Sequence, residues 1–165
     1  MRYKAWVVVV VIIVLVIIAA AYGATHLTIS ALPEPGRFET SVATKARNWY
    51  IGRASRGSLP PAPVDDAANI SQGETMYGMA CASCHGQDAR KVAPIGHSMY
   101  PRVPDLGSPE VQSMSDQELF WVIKHGIRFS GMPGFARISS DEEIWQLAYY
   151  VRSLGTPPKR TPAKY

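Results

Sequence analysis

Hydrophobic and polar positions divide the chain into three stretches. Ala5 to Ala24 carries no charged side chain and is apolar on every face. Twenty residues of helix span about 30 Å, the thickness of a bilayer's hydrocarbon core. Arg2 and Lys4 precede the block and favour a cytoplasmic N-terminus, with the chain beyond the block on the outer side. Ala19-Ala20-Ala21 also fits an A-x-A cleavage pattern, so a cleaved signal peptide stands as the alternative to an uncleaved anchor. Either way the rest of the chain is exported.

The second stretch is bounded by proline clusters, Leu32 to Gly36 and Leu59 to Pro63. Between them, Val42, Ala46 and Trp49 fall at i, i+4 and i+7, which predicts a short amphipathic helix near 39–53. Its basic residues beside Trp49, Tyr50 and Ile51 suit a membrane interface, a solvated connector or packing on a neighbouring domain. The second cluster predicts a stiff extended spacer.

From Val64 the helical period returns. Ser71-x-x-Glu74, Ser115-x-x-Glu118 and Ser140-x-x-Glu143 match the capping box. Ser108-Pro109 reads as an N-cap followed by proline at the first helical position. Gly126 and Gly155 follow apolar periodic runs, as helix stops do. The pattern predicts helices near 70–83, 108–113, 116–125 and 141–154. No alternating strand pattern of useful length occurs, so the fold class is all-α. The expected organisation is an anchor over 1–25, a linker over 26–63, a globular domain over 64–157 and a tail over 158–165.

Length and charge narrow the function. With 165 residues, 47% of them hydrophobic and many spent in the N-terminal block, one modest core remains, which excludes a large multidomain enzyme. Met1 to Pro63 holds seven basic and two acidic residues, net +5, whereas the remainder is close to neutral. The basic excess therefore flanks the apolar block, which favours anionic lipid over nucleic acid.

The chemistry centres on Cys81-Ala82-Ser83-Cys84-His85. A C-x-x-C-H string reads as a c-type haem attachment site. Two thiols one helical turn apart can each add to a porphyrin vinyl group, and the adjacent imidazole can ligate iron. A thioredoxin-type motif needs a strand-helix-strand setting that is missing here. A zinc site needs further ligands, and His97 and His125 are not in finger spacing.

The candidate for the second axial position is Met132, in Ser130-Gly131-Met132-Pro133-Gly134-Phe135. Gly131, Pro133 and Gly134 preclude regular helix and favour a shaped loop that can present the thioether. Met99, Met114, His97 and His125 are the alternatives. Met76 and Met79, on the helix entering the motif, read as core packing. Gly73 and Tyr77 on that helix, with Leu147, Tyr150 and Leu154 on the last, look placed for a close helix crossing.

Gly73-x-x-x-Tyr77, the C-x-x-C-H motif, Pro104-Asp105-Leu106, Gly131-Met132-Pro133 and the final Leu147 to Tyr150 helix follow the order of class I cytochromes c. The resemblance covers about residues 64–157. It is most similar to the membrane-anchored monohaem cytochromes of bacterial respiratory chains. It implies a small helical domain wrapped round one covalently bound haem c, preceded by a transmembrane helix.

The resemblance also implies roles. Cys81 and Cys84 would hold the porphyrin, and His85 and Met132 the iron. Pro104 would offer its carbonyl to His85 Nδ1, with Pro94 as rival. Tyr100 and Arg102 would meet a haem propionate, with Trp121 a weaker candidate. One departure is the polar loop Gln87 to Lys91, where the family is often glycine-rich.

The expected function is one-electron transfer on the outer face of the cytoplasmic membrane, as a tethered shuttle or as the haem subunit of a larger respiratory complex. The expected partners are the membrane and redox proteins, with no nucleic acid and no small-molecule substrate. The alternatives are a haem enzyme or gas sensor with a labile sixth ligand, and a structural assembly subunit.

Overall fold

A computed structural model describes residues 2–26, 30, 33–57 and 59–155. All regular elements among them are helices: α1 (Arg2–His26), α2 (Arg37–Ala54), α3 (Ala67–Ala80), α4 (Ala82–His85), α5 (Pro94–His97), α6 (Pro109–Gln112), α7 (Asp116–His125) and α8 (Asp141–Ser153). The chain forms two compact units, Met1–Ala31 and Leu32–Tyr165. The expected tail over 158–165 lies outside the described residues.

Among the described residues, the regular structure of the first unit is α1. Its segment Tyr3–Thr25 is long and apolar enough to cross a membrane. Its valines, isoleucines and leucine from Val7 to Ile18 are all about half exposed or more, so the helix buries its apolar surface against nothing in its own unit.

The second unit is organised by the crossing of α3 and α8. At Gly73 an added Cβ would stand 2.1 Å from the Gln146 carbonyl oxygen and 3.0 Å from Tyr150 Cβ. Only glycine allows the two backbones this close. One turn on, Tyr77 packs on Tyr150 with ring centroids 5.1 Å apart. The expected crossing is present, with Gln146 and Tyr150 as the residues facing the glycine. Leu147 is buried in the same core, whereas Leu154 lies beyond the end of α8. Helix α7 lays Leu119, Phe120 and Ile123 against α8, where Phe120 stacks on Trp145 at 4.4 Å.

Helix starts follow local capping chemistry at three of the four predicted places. Ser115 and Ser140 each form the reciprocal capping box with Glu118 and Glu143. Ser108 caps α6 with Pro109 at its first position. The fourth start differs: Asp66 caps α3 by accepting from Asn69 N at 2.9 Å, so Ser71 lies inside the helix. Asn69 then ties that cap to both neighbours, donating to Val64 O and accepting from Gln146 Nε2. Met79 also departs from expectation. Gly73 and Tyr77 take the side of α3 that meets α8, and Met79, two residues past Tyr77, points away and is 76% exposed.

The stretch read as a linker is docked on the globular unit. Ile51 and Ser55 of the α2 region are buried, Arg47 pairs with Glu110 at 2.7 Å, and Tyr50 meets Trp121 edge-on at 5.8 Å. The proline-rich segment after α2 has no regular structure and is strapped to α8. Trp145 Nε1 donates to Pro60 O, and Tyr149 Oη donates to Pro63 O. Aromatic side chains with one polar atom bury their rings and satisfy that atom on a backbone with few donors of its own.

Candidate functional site

Cys81 caps the end of α3 and opens α4, so Cys84 and His85 follow within a single turn. That turn is fixed from several sides. Tyr77 Oη donates to Gly86 O at 2.6 Å. Gly86 has φ +85, and a Cβ there would stand 1.8 Å from Lys91 O. Ala93 N donates to Cys84 O, and Gly96 is packed against the same carbonyl. The polar loop Gln87 to Lys91 is itself shaped by Asp88, whose carboxylate accepts from the backbone of Arg90 and Lys91. These bonds hold its carboxyl below the usual range.

The two cysteines are free thiols. Burial, reinforced by the charge on Cys84, pushes Cys81 up to about 11. It is therefore a neutral thiol at neutral pH, unlike the low-pKa nucleophile of a disulfide oxidoreductase. His85 Nδ1–H donates to the Pro104 carbonyl at 3.3 Å. A carbonyl can only accept, so this bond places the proton on Nδ1 and leaves the Nε2 lone pair free. Burial lowers the pKa of His85, with the Pro104 bond opposing, so the imidazole is held neutral. Pro94 instead starts α5.

Met132 sits on the loop between α7 and α8 and is partly buried against the same core cluster as Cys81. Gly126 has φ +67 and lies against the backbone of Met132 and Pro133. At Gly134 a Cβ would stand 2.6 Å from His125 O. The loop is pulled back onto the end of α7 by bonds from Phe135 N to Ile123 O and from Ala136 N to Lys124 O. Ser130 Oγ donates to Ile127 O at 2.7 Å and accepts from Met132 N at 3.2 Å. Met99 packs its sulfur against Gly131, beside Met132. Met114 is partly buried against the core.

The remaining candidates are spread more widely. His97 is exposed at the end of α5, and its carbonyl accepts from Arg102. His125 ends α7, donates from Nδ1–H to Trp121 O at 3.0 Å and stacks on the Trp121 ring. Tyr100 Oη donates to Glu39 at 3.0 Å, and Arg102 pairs with Glu34 at 3.1 Å. The two glutamates are 61 and 68 residues away in sequence and carry no local signal.

No group of three or more His, Cys, Asp or Glu able to hold a bare metal ion occurs among the described residues. The donors present are instead two free thiols one turn apart, an imidazole with one nitrogen already engaged and a half-buried thioether, the types that a covalently held haem takes. The sequence model of the family described as cytochrome c oxidase, cbb3-type, subunit III, matches residues 68–151, just over half of the chain. The chain belongs to this family.

Among curated relatives, the cytochrome resembles the cbb3-type cytochrome c oxidase subunit CcoP of Azospirillum brasilense, with 34% identity over 91 residues. It also resembles subunit FixP of Sinorhizobium medicae, with 29% identity over 99 residues. These matches cover 54% and 55% of this chain but only 30% and 32% of the relatives, so the chain spans about a third of their length. A chain of the reducing HAO-like protein complex of Kuenenia stuttgartiensis superposes with a TM-score of 0.56 at 23% identity, covering 61% of this chain and 50% of that one. That likeness concerns the fold. Cytochrome cL of Methylophaga aminisulfidivorans is 30% identical over 53% of this chain and 54% of its own, with a TM-score of 0.43. Membership implies haem c, and the all-helical class I cytochrome c fold agrees with the sequence expectation.

Proposed function

We propose that the protein is a membrane-anchored one-electron carrier with a single haem c, working with redox partners as a tethered shuttle or as the haem subunit of a larger respiratory complex. The observation that carries this reading is the prepared His85. Its Nδ1 proton is committed to Pro104, its pKa is lowered, and it follows Cys84 directly on a braced turn.

A bound haem supplies an iron that cycles between ferrous and ferric states. The chain's own residues do the rest. Cys81 and Cys84 would attach the porphyrin, His85 Nε2 and Met132 Sδ would ligate, and Pro104 keeps the imidazole in one tautomer and orientation. Tyr100 and Arg102 are the donors assigned to a propionate; in the structure they hold carboxylates of the same kind, from Glu39 and Glu34. One C-x-x-C-H motif supports one haem. Helix α1, exposed along its apolar length, is assigned to the membrane, and Arg2 and Lys4 support an outward-facing globular unit.

Carbon monoxide tests this against a haem enzyme or gas sensor. A carrier with Met132 in place keeps its reduced spectrum unchanged on exposure to the gas, and Met132→Ala makes it responsive. A rapid shift in the unaltered protein would overturn the carrier reading.

A further inference from the structure

We propose that the outward face of α2 is a docking surface for an anionic bilayer, so that the globular unit is held to the membrane at a second point besides α1.

Helix α2 is apolar on two opposite sides. At 100° per residue, Phe38, Val42, Lys45 and Trp49 fall within about 60° of one another on the helical wheel. Ile51 lies about 200° from Trp49, on the far side. The Ile51 side is taken: Ile51 is 4% exposed, and Arg47 on the same side pairs with Glu110. The opposite stripe is open, with Phe38 83%, Val42 51% and Trp49 68% exposed.

Among the charges, Lys45 lies within the open stripe and Arg53 about 40° from Trp49, whereas Arg37 lies nearer the Ile51 side and Arg56 follows the end of the helix. Arg47 is neutralised by Glu110, and Glu39 accepts from Tyr100. Arg37, Lys45, Arg53 and Arg56 are exposed and form no ion pair among the described residues. A helix presenting aromatic and aliphatic side chains flanked by free cations has the composition that lies in a headgroup layer. There the rings reach the acyl boundary and the cations meet lipid phosphates.

Charge and chain length favour a bilayer as the occupant. A second copy would set four unpaired cations against four more. The anchor α1 ends at His26 and α2 begins at Arg37, so ten residues separate them. An extended tether of that length reaches no more than about 35 Å, which keeps α2 at high local concentration beside whatever bilayer receives α1. The inference rests on the reading of α1 as a membrane span.

The test uses the full haem-loaded chain in vesicles, with a spin label at Val42→Cys and a control label at the exposed Ile138→Cys. In phosphatidylglycerol vesicles the Val42 label should become open to oxygen and protected from a water-soluble nickel chelate. In phosphatidylcholine vesicles it should stay open to the chelate, and Ile138 should be open in both. Lys45→Gln with Arg53→Gln should lower the docking constant by about 25-fold, at about fivefold per cation removed. A Val42 label equally open to the chelate in both vesicle types would overturn the proposal. Spin–spin broadening at Val42 would overturn it in favour of a second copy. Release of the protein from vesicles by carbonate would instead overturn the reading of α1.

Discussion

Cys81, Cys84 and His85 sit where the crossing of α3 and α8 hands over to a single braced turn, whereas Met132 sits on a loop without regular structure between α7 and α8. The first region is held by backbone contact at Gly73, a buried tyrosine bond to Gly86 and a close return of the chain at Gly96. The second is held by two glycines, one serine hydroxyl and a few backbone bonds to the end of α7. Cooperative packing makes the first region part of the core, so it opens only when the domain does. The second can loosen while the core stays folded. The proposed covalent attachment and proximal ligand fit the one setting, and a thioether presented by a separately held loop fits the other.

The largest expected break in this contrast is Gly73→Val. The first added carbon already collides with the Gln146 carbonyl, and a branched side chain forces α3 off α8. Overpacking of this kind costs about 3 kcal/mol. Chemical denaturation should show that loss, together with poor haem incorporation. Wild-type stability in this variant would mean that the crossing is not the foundation of the attachment turn.

A smaller and more local effect is expected for Ser130→Ala. It removes the hydroxyl that bridges Ile127 O and Met132 N, worth about 1 kcal/mol. The denaturation midpoint should barely move, while an external ligand such as imidazole should displace Met132 about fivefold more readily in spectral titrations. Equal shifts in both measurements would mean that the loop and the core are one cooperative unit.

The smallest effect concerns pH. Burial keeps His85 below the ordinary imidazole value of about 6.5, so the unfolded chain binds its proton first as pH falls. The contribution of His85 to stability is therefore complete above about pH 6.5 and is lost as pH drops through the lowered value. Denaturation midpoints should be level between pH 7 and 8 and decline towards pH 5, and a flat profile would contradict a buried, neutral His85.

Much of the molecule was legible because its signals are local. A capping serine and a glutamate three residues on specify a helix start by themselves, and Ser115 and Ser140 do so. Ser71 failed because Asp66, four residues before the predicted start at 70, satisfies the same orphan backbone groups first. The Gly73–Tyr77 spacing announced a crossing, but the partner opposite the glycine, Gln146, is a backbone contact that no side-chain pattern encodes. Trp145 and Tyr149 gave no sign that they would strap down the second proline cluster, since both acceptors are plain carbonyls some 85 residues away.

The sequence by itself determined the all-helical class, the apolar N-terminal helix, the C-x-x-C-H string of Cys81, Cys84 and His85, and the irregular loop around Met132. Each rests on residue type and near spacing, which covalent geometry turns directly into local structure. Only the tertiary structure decided that α2 is docked rather than free, that Tyr100 and Arg102 are held by Glu39 and Glu34, and which side of α2 stays open. Those outcomes depend on which surfaces meet once the helices pack, and a periodicity identifies an apolar face without naming its partner.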